Sequence, residues 1–319
     1  MTAPPVRIAT RASRLALWQA EHVAGLLSAA EPGRQVELVE VATTGDTSLN
    51  EPLAAFGGVG VFTREVQRAV LEGRADLAVH SLKDLPTEEV AGLSLAAVPP
   101  RGPRFDVLVL PAGSPPPAGL DVIPHGARIG TGSIRRQAQL RALRPDLALA
   151  DVRGNVETRL RKLDEGEYDA LVLAEAGLRR LGLASRISLM LEPPLMFPAV
   201  GQGALGLECR ADDRATGALL ATISDPSTHL AVLAERALLA ALRGGCHAPI
   251  GVDAWFDGAR IVLAAVVLSA DGARRVEVRC DGAATDPVAL GRETARRLLD
   301  RGAANLLDPD QAQEPAPEV

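Results

Sequence analysis

Apolar positions along this 319-residue chain change their period repeatedly, and each change marks a predicted element. Residues 6–10 are a short apolar run that reads as a buried strand. From Ser13 the spacing turns helical through Leu15, Leu17, Trp18, Val23, Leu26 and Leu27. Alternation over 36–42 predicts a strand, followed by a loop at 43–60 that ends in Gly57-Gly58-Val59-Gly60. Residues 62–71 read as a helix, and 76–80 as a strand running into Ser81-Leu82-Lys83-Asp84-Leu85-Pro86. Further strands are predicted at 93–98 and 106–110, on either side of a crossing near 99–103.

A second unit repeats the alternation. Strands are predicted at 128–131, 147–151 and 169–174; Ser133 caps a helix that stops before Pro145, and Asn155 caps another that Gly166 closes. Strands alternating with helices of this length imply mainly parallel sheets with right-handed crossovers, here as two α/β lobes flanking a cleft. The Pro-rich stretch 111–119 reads as a surface loop, and 205–209 as one more strand. The last third differs. Asp225-Pro226 opens a helix whose stripe is Leu230, Leu233, Ala237, Leu238 and Ala241, ending at Gly244-Gly245. Strands at 251–256, 260–268 and 275–280 follow, the last two joined by an Asp271-Gly272 hairpin, and then a helix at 287–299. This is the pattern of a small antiparallel α+β domain, and 309–319 reads as a disordered tail.

Composition narrows the function classes. A chain that is 47% hydrophobic and 23% charged has ample material for cores, and its net charge of -6 argues against a general nucleic-acid or membrane-surface binder. No apolar run approaches the ~20 residues that span a bilayer, and residues 1–8 lack the features of a secretory signal. Three well-separated cysteines point to a reducing cytoplasm rather than a disulfide scaffold. Lys83 and Lys162 are the only lysines among 34 basic residues. The arginine excess fits a genome preference, while arginines at selected positions supply planar forks for carboxylates.

Those positions are strand ends, where ligands of open α/β sheets bind. Arg11 follows the first strand, and Lys83 and Asp84 follow the strand at 76–80. Arg135 and Arg136 lie at a helix start, and Arg153 follows the strand at 147–151, with Arg159 one turn beyond Asn155. A helix start is already electropositive, so arginines placed there call for an anion. Asp84 taken alone reads as a surface carboxylate paired with Lys83; among these cations it stands out as an acid that can assist a leaving amine and stabilise the cation left behind. Cys209 and Cys280 read as packed hydrophobes. Cys246 lies in the glycine turn Arg243-Gly244-Gly245-Cys246-His247, which exposes a thiol; on local sequence alone an incidental surface thiol fits equally well. Neither a zinc pattern nor a phosphate-loop or dinucleotide fingerprint is present.

Six segments, in order, resemble the porphobilinogen deaminase (hydroxymethylbilane synthase) family. They are Thr10-Arg11-Ala12-Ser13 with Leu15-Ala16-Leu17-Trp18-Gln19; His80-Ser81-Leu82-Lys83-Asp84-Leu85-Pro86; and Gly130-Thr131-Gly132-Ser133-Ile134-Arg135-Arg136-Gln137. The rest are Arg153-Gly154-Asn155-Val156-Glu157-Thr158-Arg159, Pro198-Ala199-Val200-Gly201-Gln202-Gly203-Ala204 and Gly244-Gly245-Cys246-His247-Ala248-Pro249-Ile250-Gly251. Any one alone could arise by chance; the six in order are highly specific.

The resemblance implies two periplasmic-binding-protein-like α/β lobes with mainly parallel mixed sheets, and a C-terminal domain with a three-stranded antiparallel sheet. Domain 1 then spans 4–101 with 202–221, domain 2 spans 105–199, and domain 3 spans 225–307 and carries Cys246, ahead of a tail at 308–319. It also implies a dipyrromethane cofactor joined to Cys246 by a thioether. Onto that cofactor four porphobilinogens are deaminated and joined, and water releases hydroxymethylbilane for haem or chlorophyll synthesis. By position, Asp84 assists deamination. Ser81, Lys83, Asp84, Ser133, Arg135 and Arg136 hold the cofactor, and Arg11, Ser13, Phe62, Arg153, Arg159 and Gln202 hold substrate. The expected enzyme is a cytoplasmic monomer with no metal, nucleic-acid or membrane partner. The chain departs from the family at Val59, where a lysine is usual, and at Gly132, where serine is common. Two rival readings are a two-lobed anion binder without catalysis and a cysteine hydrolase pairing Cys246 with His247 or His80.

Overall fold

The computed structural model describes residues 4–42, 63–243 and 248–307. The expectations for Val59, Phe62, Cys246, His247 and the tail at 308–319 lie outside the described residues.

Strands β1 (Val6–Arg11), β2 (Val36–Val41), β3 (Leu77–Ser81) and β4 (Leu93–Ala97) form one sheet with β10 (Leu205–Arg210), in the order β2-β1-β3-β10-β4. β1 runs parallel to β2 and β3, whereas β10 is antiparallel to β3 and β4. Side-chain alternation splits this sheet between two cores. Ile8 and Leu77 pack with Ala20, Val23 and Leu27 of helix Arg14–Ala30. Ala9 and Ala78 face the other way, onto Val66, Ala69 and Val70 of helix Arg64–Leu71. Both faces are covered, which is why these strands read as continuous apolar runs.

The second sheet contains β5 (Asp106–Val109), β6 (Arg128–Gly130), β7 (Ala148–Ala150), β8 (Ala170–Ala174) and β9 (Leu189–Leu191), in the order β7-β6-β8-β5-β9. β6 is parallel to β7 and β8, while β5 is antiparallel to β8 and β9. Each lobe thus combines parallel pairings made by crossovers with one antiparallel strand beside a crossing between lobes. The two crossings touch where Gly102 N donates to Gly203 O at 3.1 Å.

β11 (Ile250–Asp257), β12 (Arg260–Leu268) and β13 (Arg275–Ala283) form the expected antiparallel sheet. One face packs under helices Pro226–Ala241 and Pro287–Asp300. The other, with Ala264, Val266 and Leu268, lies against Ala138 and Phe197 of the second lobe. The Asp271-Gly272 turn ends in that contact. Gly272 has φ +76°, and a Cβ there would meet Ala138 O and Ala142 N at 2.7 Å, so glycine is required twice over.

Among the described strands and α-helices, four have no counterpart in the predicted set: β9, helix Glu175–Arg180, helix Arg214–Ala221 and the single turn Ala304–Leu307. Most caps agree. Ser13, Asn155 and Asp225 accept from Ala16 N, Thr158 N and Thr228 N respectively. Ser133 is the exception, because it stands at the N-cap of helix Ile134–Leu143 but its hydroxyl makes no capping bond. Cys209 and Cys280 are buried, as expected. Among the described residues no helix is long and apolar enough to cross a membrane.

Candidate active site

The parallel strands bring their carboxyl ends to one edge of each sheet. In the first lobe this edge carries Arg11, Ser13 and the turn after β3; in the second it carries Ser133 after β6 and Arg153 after β7. The antiparallel strands complete the edge from the opposite direction, because their amino ends lie there. Asp106, the first residue of β5, pairs with Ala174 at the end of β8. Leu205, the first of β10, pairs with Ser81 and places Gln202 close by.

Leu82 shapes the turn after β3. It is 1% exposed, with its amide donating to Ala204 O at 3.1 Å, and this burial turns Lys83 and Asp84 outward. Asp84 is exposed and Lys83 half-buried. Beneath them, Ser81 Oγ accepts from Gln19 Nε2 at 2.8 Å. His80 is buried with Nε2 3.0 Å from Glu208 Oε2, which also accepts from Gln67 Nε2 at 2.8 Å. Burial by itself would raise the Glu208 carboxyl, but bonds from His80 and Gln67 hold it below its ordinary value.

Asp106 is the hub of the cation cluster. It is 0% exposed; Oδ2 accepts from Arg135 Nη1 at 2.7 Å, and Oδ1 from Arg136 Nη2 at 2.8 Å and Nε at 3.0 Å. Arg135 Nη1 also donates to Phe197 O, and Arg136 Nη1 to Val172 O. Burial opposes ionisation of Asp106, yet Arg135 and Arg136 outweigh it and hold the carboxyl far below the usual range. The anion that an arginine pair at a helix start calls for is thus supplied from within. Gln202, 1% exposed, donates through Nε2 to Asp106 Oδ1 at 2.9 Å and to Arg104 O at 2.8 Å. With both amide protons used, its Oε1 accepts from Lys83 Nζ at 3.5 Å. A continuous polar chain therefore runs from Arg135 and Arg136, through Asp106 and Gln202, to the Lys83–Asp84 turn.

Arg153 is exposed and Arg159 half-buried, with Arg159 Nε donating to Gly154 O at 2.8 Å. Burial, then the charges of Arg136 and Arg153, push Arg159 down to about 10, while Asp84 opposes the fall. Lys83 is pushed down to about 8, mainly by burial, with Arg136 and Arg135 adding to it and Asp84 and Asp106 opposing. These cations depress one another across the two lobes, and Asp84 is the exposed acid that relieves both Lys83 and Arg159. Among the described residues no acidic, histidine and cysteine group is placed to hold a metal.

Sequence reasoning missed two residues that organise this edge. Asp106 was visible as an acid heading an apolar strand. Glu235, 0% exposed, binds Arg101 through a bidentate pair at 2.6 and 3.2 Å and accepts from Gly201 N at 2.7 Å, clamping both crossings to helix Pro226–Ala241.

Fold and site together define a two-lobed α/β protein whose interlobe edge carries clustered cations around the exposed Asp84 carboxylate. The chain belongs to the porphobilinogen deaminase family. Residues 6–218 match the family model described as porphobilinogen deaminase, dipyromethane cofactor binding domain, and residues 229–300 match the model of its C-terminal domain. Among curated relatives, the porphobilinogen deaminase of Xanthomonas euvesicatoria pv. vesicatoria is 51% identical over 302 residues, covering 95% of this chain and 98% of the relative. That of Stenotrophomonas maltophilia (strain R551-3) is 51% identical over 303 residues, covering 95% and 99%. Among solved structures, a TRAP periplasmic solute binding protein from Desulfovibrio salexigens overlays 70% of this chain and 72% of its own, with TM-score 0.43 and 12% identity.

Proposed function

We propose that this chain is a transferase of tetrapyrrole biosynthesis that deaminates four porphobilinogens, joins them on a dipyrromethane held by Cys246, and releases hydroxymethylbilane by hydrolysis. The observation that carries this reading is Asp84, exposed at an edge where Lys83 and Arg159 sense its charge. Each porphobilinogen brings two carboxylates, and a site whose cations depress one another is stabilised by such anions.

The residues fit the cofactor. Ser81, Lys83, Ser133, Arg135 and Arg136 would hold its carboxylates, with the Cys246 thiol as the point of attachment. When bound, dipyrromethane supplies the pyrrole carbon at which growth starts. Arg11, Ser13, Phe62, Arg153 and Arg159 are assigned to incoming substrate, while Gln202, buried with its amide fully engaged, acts on the site by orienting Lys83 and Asp106. Asp84 stabilises positive charge developing on the pyrrole as ammonia departs, a task suited to a fixed carboxylate. The domain limits assigned above, a monomeric state and a cytoplasmic location complete the proposal. His80 is already engaged by Glu208 beneath the sheet edge, which disfavours its use as the base of a cysteine hydrolase.

Intact-mass measurement of freshly purified protein tests the tether: an adduct of two pyrrole units at Cys246 is expected, and an unmodified thiol in folded protein refutes it. Asp84→Asn should keep that adduct yet stop chain growth, and normal turnover by this variant removes the assigned role.

A further inference from the structure

Resting on that reading, we propose that Arg236 is a positioning residue for Asp84, gripping the exit of the catalytic turn from the helix that leads to Cys246. The entry to the turn is well fixed: β3 pairs with β10, Leu82 is buried, and Gln19 braces Ser81. The exit is not. Between Leu85 and Val90 the backbone joins no strand or helix.

Arg236 supplies what is missing there. It lies on helix Pro226–Ala241, ten residues before Cys246 in sequence. Its Nη1 donates to Leu85 O at 3.1 Å and its Nη2 to Pro86 O at 2.7 Å. One planar fork thus holds two consecutive carbonyls immediately after Asp84, a geometry that a lysine ammonium cannot reproduce. Packing holds only the start of the exit, where Leu85 is buried with Val232 of the same helix; beyond it a cleft of about 600 Å³ opens, lined by Thr87, Val90, Leu95, Leu233 and Ala237.

The charge of Arg236 is balanced on the same side. Burial pushes its guanidinium below the ordinary value, and the charges of Glu208 and Glu89 oppose the fall. Glu208 is also the carboxylate that holds His80, four residues before Asp84. The entry is thus held to this buried acid through His80, while at the exit Arg236 senses only its charge. The helix that makes the exit contact belongs to the domain assigned to carry the cofactor. Asp84 is consequently placed with respect to that helix, and not only with respect to its own lobe.

Holoenzyme variants Arg236→Gln and Arg236→Lys test this. For Arg236→Gln the two-pyrrole adduct should persist and KM for porphobilinogen should stay within about twofold. Its kcat should fall roughly 10- to 100-fold, the scale of a sub-ångström misplacement of a reacting group. Amide exchange in a peptide covering 82–88 should speed up while helix Arg14–Ala30 is unaffected, and Arg236→Lys should recover part of kcat. Unchanged kcat, unchanged exchange at 82–88, or a loss of kcat that merely tracks lost adduct overturns the proposal. If Arg236→Gln does not fold, wild-type kcat in Arg236→Lys overturns it equally. A wild-type protein without adduct or product would instead refute the reading of the site itself.

Discussion

Replacing Asp106 by asparagine should destabilise this protein more than any single change at its surface ion pairs. The carboxylate is fully buried and receives Arg135 at 2.7 Å, Arg136 at 2.8 and 3.0 Å, and Gln202 at 2.9 Å. Removing one partner of a buried pair costs about 3–5 kcal/mol, because the remaining charge stays desolvated. Here two guanidiniums lose the same counter-charge, so the upper end, about 4–5 kcal/mol, is expected. Urea unfolding followed by circular dichroism measures it, with Glu293→Gln as the control, since Glu293 and its partners Arg296 and Arg297 lie on the surface. The control should leave the midpoint unmoved. Adding Arg136→Met to Asp106→Asn should recover part of the loss, as one stranded charge disappears. The same carboxyl gives the pH sign. Its folded-state value lies below the unfolded one, so its contribution is complete above about pH 4 and is lost as pH falls further, where the unfolded chain takes up the proton first. A loss below about 1 kcal/mol in Asp106→Asn would refute the reasoning, since it would mean that the pair carries no desolvated charge.

Lys83 sets an alkaline limit. Its ammonium is pushed down to about 8, so kcat/KM should fall as pH rises through that value and the cation that receives a carboxylate is lost. Lys83→Arg should flatten this limb, and an unchanged profile would exclude Lys83 as its source. In stability the sign reverses: from about 8 to 10.5 the unfolded chain binds the extra proton, so deprotonation of Lys83 favours the fold. Gly203→Ala should cost roughly 2–4 kcal/mol, because φ is +85° and the new Cβ would lie 2.5 Å from Pro103 O and 2.7 Å from Gly102 O. Gly25→Ala, on an exposed helix face with nothing within 4 Å, should instead stabilise by about 0.5–1 kcal/mol. Urea midpoints decide both, and equal effects would refute the distinction.

Much of the architecture was legible because burial on both sheet faces leaves apolar runs, and because Asn155 and Asp225 write their caps locally. β9 was missed because three residues, Leu189–Leu191, are too few to show a period. Helix Glu175–Arg180 follows β8 with no loop between them and contains Gly177, so no start signal separates the two. Helix Arg214–Ala221 did carry a signal, since Asp213 accepts from Thr216 N at 3.0 Å, but Gly217 masks its helical spacing. The cations of the site were visible as strand-end residues. The hub was not, because Asp106 meets arginines 29 and 30 residues away and a glutamine 96 residues away only once antiparallel strands turn their amino ends to that edge.

In a chain that writes almost every cation as arginine, the lysine in this cleft has a practical consequence for chemical labelling. An acylating ester meets two side-chain amines, Lys83 and Lys162, besides the N-terminus. Lys83 is about half deprotonated at pH 8, and hence nucleophilic under mild conditions. Acylation at Lys83, followed as a mass increment on its own peptide, makes the protein a gauge of cleft access, its rate falling whenever carboxylates occupy the edge.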